Sequence, residues 1–274
     1  MDTTYSIGTR AANRLVGRAV RPGSALGALL LQALACPPTG PSWSVARNDT
    51  VLEVGYGKGS DLPQVAALHL ASSYLRLNPG PGSGWGTSVV LLPSFWSGGT
   101  LHQGAPVEAT WESRGDDLIL SLRGTLAGLT VALEVRMSPP AGDSLRATVT
   151  GRAEGDIQLD ARPGEAFKLL MLSSMHIAPD RWDTQSATIS GETLAIPGAG
   201  WIVNPAVTAG RFGLRGGTSA WKVNAPTIEI SLEEPRAITG WVTPSTDPND
   251  DNVGFWAASD RVVPAWRYAI VARR

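Results

Sequence analysis

Residues 129–137 read LTVALEVRM, and the apolar side chains Leu129, Val131, Leu133, Val135 and Met137 fall at every second position. A β-strand sends successive side chains to opposite faces, so this run builds one apolar face and one polar face. At helical spacing the same residues would be scattered around the axis. The period recurs in Leu118–Arg123, after the turn Gly115-Asp116-Asp117, and in Leu145–Gly151, after Pro139-Pro140-Ala141-Gly142-Asp143. Alternation bounded by Gly, Pro and Asp is the signal of antiparallel strands.

Further strands are expected near Phe167–His176, Ala187–Ser190, Thr193–Ile196, Gly200–Asn204, Thr227–Leu232, Ala237–Pro244, Asn252–Ala257 and Trp266–Ala272. Their spacing predicts an all-β chain: an antiparallel β-sandwich, a jelly roll or a closed β-barrel. Residues 43–274 are expected to form a single β domain. Residues 1–42 are read as a short helical extension, with Ser24 capping the run SALGALLLQALA and Pro37-Pro38 stopping it. Arg10, Arg14, Arg18 and Arg21 ahead of that run, and Ala33-Leu34-Ala35 at its end, also fit a signal peptide. The basic region is long for a signal, so a cytoplasmic helix is the preferred reading, with secretion as the alternative. The apolar run is shorter than the roughly 20 residues a bilayer span needs.

Only 17% of the 274 residues are charged, and the net charge is −1. No basic field exists to attract nucleic acid or an anionic membrane. The partner expected is a small molecule or a glycan. Cys36 is the one cysteine, which excludes an intrachain disulfide and a cysteine-based zinc site. In Ala-Cys-Pro-Pro it reads as a buried or incidental thiol.

Val51-Leu52-Glu53-Val54-Gly55-Tyr56-Gly57-Lys58-Gly59 resembles the first motif of S-adenosylmethionine-dependent methyltransferases, a strand and an acid followed by spaced glycines. That family also carries an acid about 20 residues on, for the cofactor ribose. Here Ser73–Gly80 contains none, and no strand–helix alternation follows. The preferred reading is a strand leaving into a glycine turn. Gly80–Gly86, which lacks phosphate-loop spacing and precedes a strand, reads as a turn that holds Trp85. No cofactor is expected. Asp247, Asn249 and Asp251 could offer calcium alternate oxygens, yet the segment lacks the length, central Gly and terminal Glu of a calcium loop and reads as a solvated turn.

Ten tryptophans are many for this length. Most are expected to plug the ends of the β core. Trp85, Trp96 and Trp182 flank turns and polar groups, where a ring can stack on the apolar face of a sugar. Arg162 joins them as a binding residue. His176 ends a strand just before Asp180 and Asp183, so His176, Asp180, Asp183 and Glu165 are the candidate proton-transfer groups. Ser174 shares a strand face with His176, but at about 6–7 Å it is too far for a nucleophile–base pair. Three functions fit: a carbohydrate-active lyase or hydrolase, a non-catalytic β-sandwich module binding a glycan or lipid-like ligand, and a β-barrel isomerase or cyclase. Catalysis by the first is the preferred reading.

Overall fold

The computed structural model describes residues 40–58, 62–77, 87–177, 186–195, 207–215, 227–243 and 251–273. Eighteen strands account for about three quarters of them. In chain order they are β1 (Ser42–Arg47), β2 (Val51–Gly57), β3 (Gln64–His69), β4 (Tyr74–Leu77), β5 (Thr87–Val90), β6 (Ser94–Ser97), β7 (Thr100–His102), β8 (Val107–Arg114) and β9 (Asp117–Leu126). They continue as β10 (Leu129–Ala141), β11 (Ser144–Glu154), β12 (Phe167–Ile177), β13 (Ser186–Ile189), β14 (Glu192–Ala195), β15 (Val207–Arg215), β16 (Thr227–Thr243), β17 (Asp251–Ser259) and β18 (Ala265–Arg273).

Every pairing is antiparallel, as the alternation requires. One half of the network runs β1-β2-β3-β4-β5-β12-β17-β16, with the β6–β7 hairpin attached to β12. The other runs β8-β9-β10-β11-β18-β16-β15-β13-β14. The halves share β16, so the sheet is continuous and folds over on itself around one core. Leu52, Leu68, Leu75, Phe95, Phe167 and Phe255 enter that core from the first half, and Leu120, Val135, Val149, Phe212, Ile230 and Ile270 from the second. The far edges also meet. Trp43 in β1 donates its indole N–H to the Asp116 carbonyl at 2.7 Å, and Arg47 donates to the Ala109 carbonyl at 3.4 Å. Side-chain bonds thus bring the sheet close to a barrel without a closing ladder.

The alternating run behaves as its period demands. Leu129, Val131, Leu133, Val135 and Met137 are all buried, while Ala132, Glu134 and Arg136 between them are exposed. The turn expected at Pro139–Asp143 is narrower: β10 continues to Ala141, and the chain reverses at Gly142-Asp143. Both prolines sit where the register shifts between Ser138 and Ala141, so their missing N–H groups break no regular ladder. Two expected strands, Thr227–Leu232 and Ala237–Pro244, are one strand. β16 pairs with β18 up to Leu232 and with β17 from Ala237, and Pro235 lies between the two ladders. The glycine-rich stretch is β2, held between β1 and β3. A Cβ on Gly55 would lie 2.7 Å from the Ser44 hydroxyl and 3.0 Å from the Leu62 carbonyl oxygen, so close strand packing explains that glycine without a cofactor. The strand expected at 200–204, the helical extension and Cys36 lie outside the described residues.

Two glycines of β15 test this packing. A Cβ at Gly213 would overlap the backbone oxygen of Ile228, whereas at Gly210 the nearest atom is 3.7 Å away. Gly213→Ala should therefore lower stability by about 1–3 kcal/mol, the usual range for overpacking. Gly210→Ala should change it far less. Urea unfolding of both variants checks the difference, and equal losses would refute the register of β15 on β16.

Candidate functional site

A sheet with a core on one side has a second face, and here that face is polar in a way that core packing does not explain. The register of β3, β4, β5, β12 and β17 aligns its residues in cross-strand rows. One row is Ala67, Arg76, Ser88, Ser173 and Gly254. The next is His69, Tyr74, Val90, Met171 and Trp256, continued on β16 by Thr239. Neighbours within a row lie about 4.5–5.5 Å apart at Cβ, so they form one surface.

Ser88, Ser173 and Thr239 on this face are buried. The Ser88 hydroxyl has no hydrogen-bond partner among the described residues. Leaving a buried hydroxyl unpaired costs roughly 1–3 kcal/mol, which an apolar residue would avoid. Burial desolvates the Arg76 guanidinium and moves its pKa below the ordinary arginine value. His69 is shifted down as well, first by desolvation and then by the charge of Arg76.

Beside the second row lies a cavity of about 210 Å³ lined by Ser72, Tyr74, Ser94, Gln103, Lys168 and Met171, among others. Lys168 enters because β12 sets it opposite Ser94 on β6 while its neighbour Phe167 enters the core opposite Phe95. Its ammonium sits 3.8 Å from the centroid of the Trp256 ring, a cation–π contact. Desolvation holds the Lys168 pKa below the usual lysine value; Glu165 pulls it back up and Arg162 pushes it down. The cavity wall is also strained. Ser73, between Ser72 and Tyr74, is fully buried at φ 53°, an uncommon conformation outside glycine. Two bonds hold it there: its carbonyl accepts from the Leu91 N–H at 3.1 Å and its hydroxyl from the Leu92 N–H at 3.3 Å. Backbone strain of this kind gathers at functional sites.

Three residues expected from sequence meet at the Lys168 end. Trp96 is half-buried in β6, and the Arg162 guanidinium lies 3.6 Å from its ring centroid. Glu165 follows in the turn whose N–H donates to the Arg162 carbonyl. The segment 158–166 is laced along β6: Trp96 donates its N–H to Ala166 at 3.1 Å and accepts from Asp160 at 3.0 Å, and the Ser97 hydroxyl donates to Gln158 at 2.7 Å. One face of Trp96 is thus taken by Arg162, and the two act as a single wall rather than a bare stacking ring.

His176 is not brought to this cluster. It lies on β12 nine residues beyond Phe167, which at the strand rise of about 3.3 Å per residue is roughly 30 Å. Glu165 and His176 therefore cannot share one proton-transfer site. The pairing of β12 with β17 shifts register between Ser174 and Ile177, so the simple alternation expected for Ser174 and His176 is interrupted. Asp180, Asp183, Trp182, Trp85, Asp247 and Asn249 lie outside the described residues, and Asp251 begins β17. Among the described residues no three His, Cys, Asp or Glu side chains gather into a metal site, and no helix is long and apolar enough to cross a membrane. Sequence reasoning overlooked Arg76, Ser88, Ser173, Lys168 and Tyr74. The available signal was a lysine and a serine pair interrupting the apolar run FKLLMLSSMHI of β12.

No protein-family model and no curated protein matches the chain. Among solved structures it aligns with a candidate aldose 1-epimerase from Escherichia coli K12 at 10% identity and a TM-score of 0.38, over 85% of this chain and 99% of that one. A protein from Synechocystis sp. PCC 6803 aligns at 11% identity and 0.34, over 86% and 98%. A GalM/aldose epimerase homologue from C. elegans aligns at 8% identity and 0.35, over 85% and 98%. Likeness this distant assigns no activity, and the site stands on its own residues.

His69 makes the electrostatics testable. With its folded pKa below the ordinary 6.5, the unfolded chain takes up this proton at a higher pH than the folded protein does. The contribution to stability is full above about 6.5 and is lost as pH falls through the depressed folded value. His69→Gln should flatten that part of the curve. Urea midpoints between about pH 7.5 and 5 measure it, and an unchanged slope would refute the desolvated environment.

Proposed function

We propose that the protein is a carbohydrate-active enzyme of the lyase or hydrolase type, with its substrate lying along β12 on the second face of the sheet. The observation that carries this reading is the row of Arg76, Ser88 and Ser173, a desolvated guanidinium and two buried hydroxyls on one non-core surface. Hydroxyls and a planar five-donor cation suit a ligand dense in oxygen acceptors. Trp256, Tyr74 and Met171 beside them supply the apolar contact that a sugar ring also needs.

The face divides into two ends. Near Lys168 lie Glu165, Arg162 and Trp96, which we assign to binding. His176 lies three residues beyond Ser173, about 10 Å along the strand. We assign proton transfer to His176, with Asp180 and Asp183 as the carboxylates that follow it in the chain and Trp182 between them; Trp85 belongs to the segment entering β5. Glu165 leaves the catalytic set and remains as the counter-charge that favours the Lys168 ammonium. An enzyme fits better than a passive module because strained and desolvated groups are costly to keep.

A panel of glycosides, polyuronates and free aldoses tests the assignment by turnover and by tryptophan fluorescence. Arg76→Ala should weaken binding about tenfold or more, the loss expected for a hydrogen bond to a charged donor. His176→Ala should lower kcat by about 10²–10⁴ with little change in KM, as removal of an acid–base group does. Binding without turnover across the panel would favour the glycan-binding module. Turnover of free aldoses alone would favour the isomerase. A His176→Ala variant with full activity would sink the catalytic assignment.

A further inference from the structure

The exchange of partners by β16 leaves a second cavity, about 380 Å³ and larger than the one beside Lys168. β16 leaves β18 after Leu232 and joins β17 at Ala237. Against β15 the pairs on either side are Arg211 with Ser231 and Ala209 with Arg236, so residues 232–235 loop out opposite Gly210. The opening is lined by Arg152 of β11, Arg267 and Trp266 of β18, and Glu233, Glu234 and Arg236 of β16. Trp266 can form its wall because Gly151 lies opposite; any Cβ there would overlap the indole. A shallower depression of about 250 Å³ shares Leu232, Glu233 and Arg267 and extends to Arg146.

The charges around the opening do not cancel. Arg236 is ion-paired with Glu234. Arg146, Arg152 and Arg267 make no ion pair among the described residues. Arg267 is registered against Thr150 and Arg152 against Ala265, so the two arginines are diagonal neighbours on one face of the β11–β18 ladder. Like charges at that spacing repel. An anion seated between them would relieve the repulsion and could accept from both guanidinium forks. Glu233 on the opposite wall, itself without an ion-pair partner among the described residues, can accept from a hydroxyl. The Trp266 and Leu232 side chains supply apolar contact.

We propose that this opening is a second ligand site, separate from the β12 face, for a small polyhydroxylated molecule bearing an oxyanion. Arg152 and Arg267 hold the oxyanion, carboxylate or phosphate, and Glu233 orients the hydroxyl-bearing part. Isothermal titration with glucose 6-phosphate, glucuronate, inorganic phosphate and glucose, at low and high salt, tests it. The wild type should bind glucose 6-phosphate or glucuronate more tightly than glucose, and the preference between those two identifies the oxyanion. Affinity should fall with added salt. Arg152→Ala and Arg267→Ala should each weaken binding tenfold or more, and Arg152→Lys should retain part of it. Both residues have exposed side chains, and unchanged thermal unfolding confirms that the variants fold. Glu233→Gln should weaken glucose 6-phosphate while leaving inorganic phosphate unchanged. Lys168→Met, at the other site, should leave all of this binding intact. The proposal is overturned if glucose binds as well as the anions, if no anion binds, if the arginine variants bind normally, or if Lys168→Met removes the binding.

Discussion

The fold depends on one strand serving both halves of the sheet. β16 runs for 17 residues, and its ladder passes from β18 to β17 partway along. Were the strand to end at Pro235, β18 would keep its partner in residues 227–232, but β17 would be left as an edge, a row of unpaired amides. By continuing, β16 gives β17 a partner and registers the core-facing residues of one half against those of the other. Proline is tolerated because residues 233–235 belong to none of the ladders with β15, β17 and β18. The same stretch cannot be filled by neighbouring strands, so an opening forms beside it. The cavity near Trp266 is a geometric consequence of the strand exchange rather than a separate feature.

The second face of the β12 half poses a different energetic question. A buried serine without a partner among the described residues and a lysine whose pKa is held down both subtract from stability. The Trp256 ring and Glu165 return only part of what Lys168 loses. The large core of leucine, valine and phenylalanine carries this cost. Groups arranged at such expense over adjacent rows point to a face kept for contact with something polar.

The β architecture was legible because its signal is local. The face of β10 can be read within nine residues, and turn residues mark where strands reverse. What was misread came from context outside the window. Pro139, Pro140 and Pro235 are breakers by local rule, but each falls where the pairing register is already interrupted. Trp96 reads as a turn-flanking residue and sits within β6, since β12, which holds one side of that strand, lies about 70 residues on in the chain.

The site was largely illegible for the same reason taken further. Arg76, Ser88 and Ser173 share no motif, and 85 residues separate the last two. Only the registers of β4 on β5 and of β5 on β12 make them neighbours. Sequence attention instead fell on residues adjacent in the chain, which joined Glu165 to His176 although an extended strand separates their ends by about 30 Å. β12 marks the point where the sequence stops being readable. An antiparallel strand apolar on both faces has a core on each side, but one whose second face is interrupted by lysine and serine has a core on one side and a polar surface on the other. In FKLLMLSSMHI, Lys168 and Ser173 interrupt the apolar run, but strict alternation would set them on opposite faces; only the register shift between Lys168 and Leu170, which no local pattern reveals, brings both to the second face.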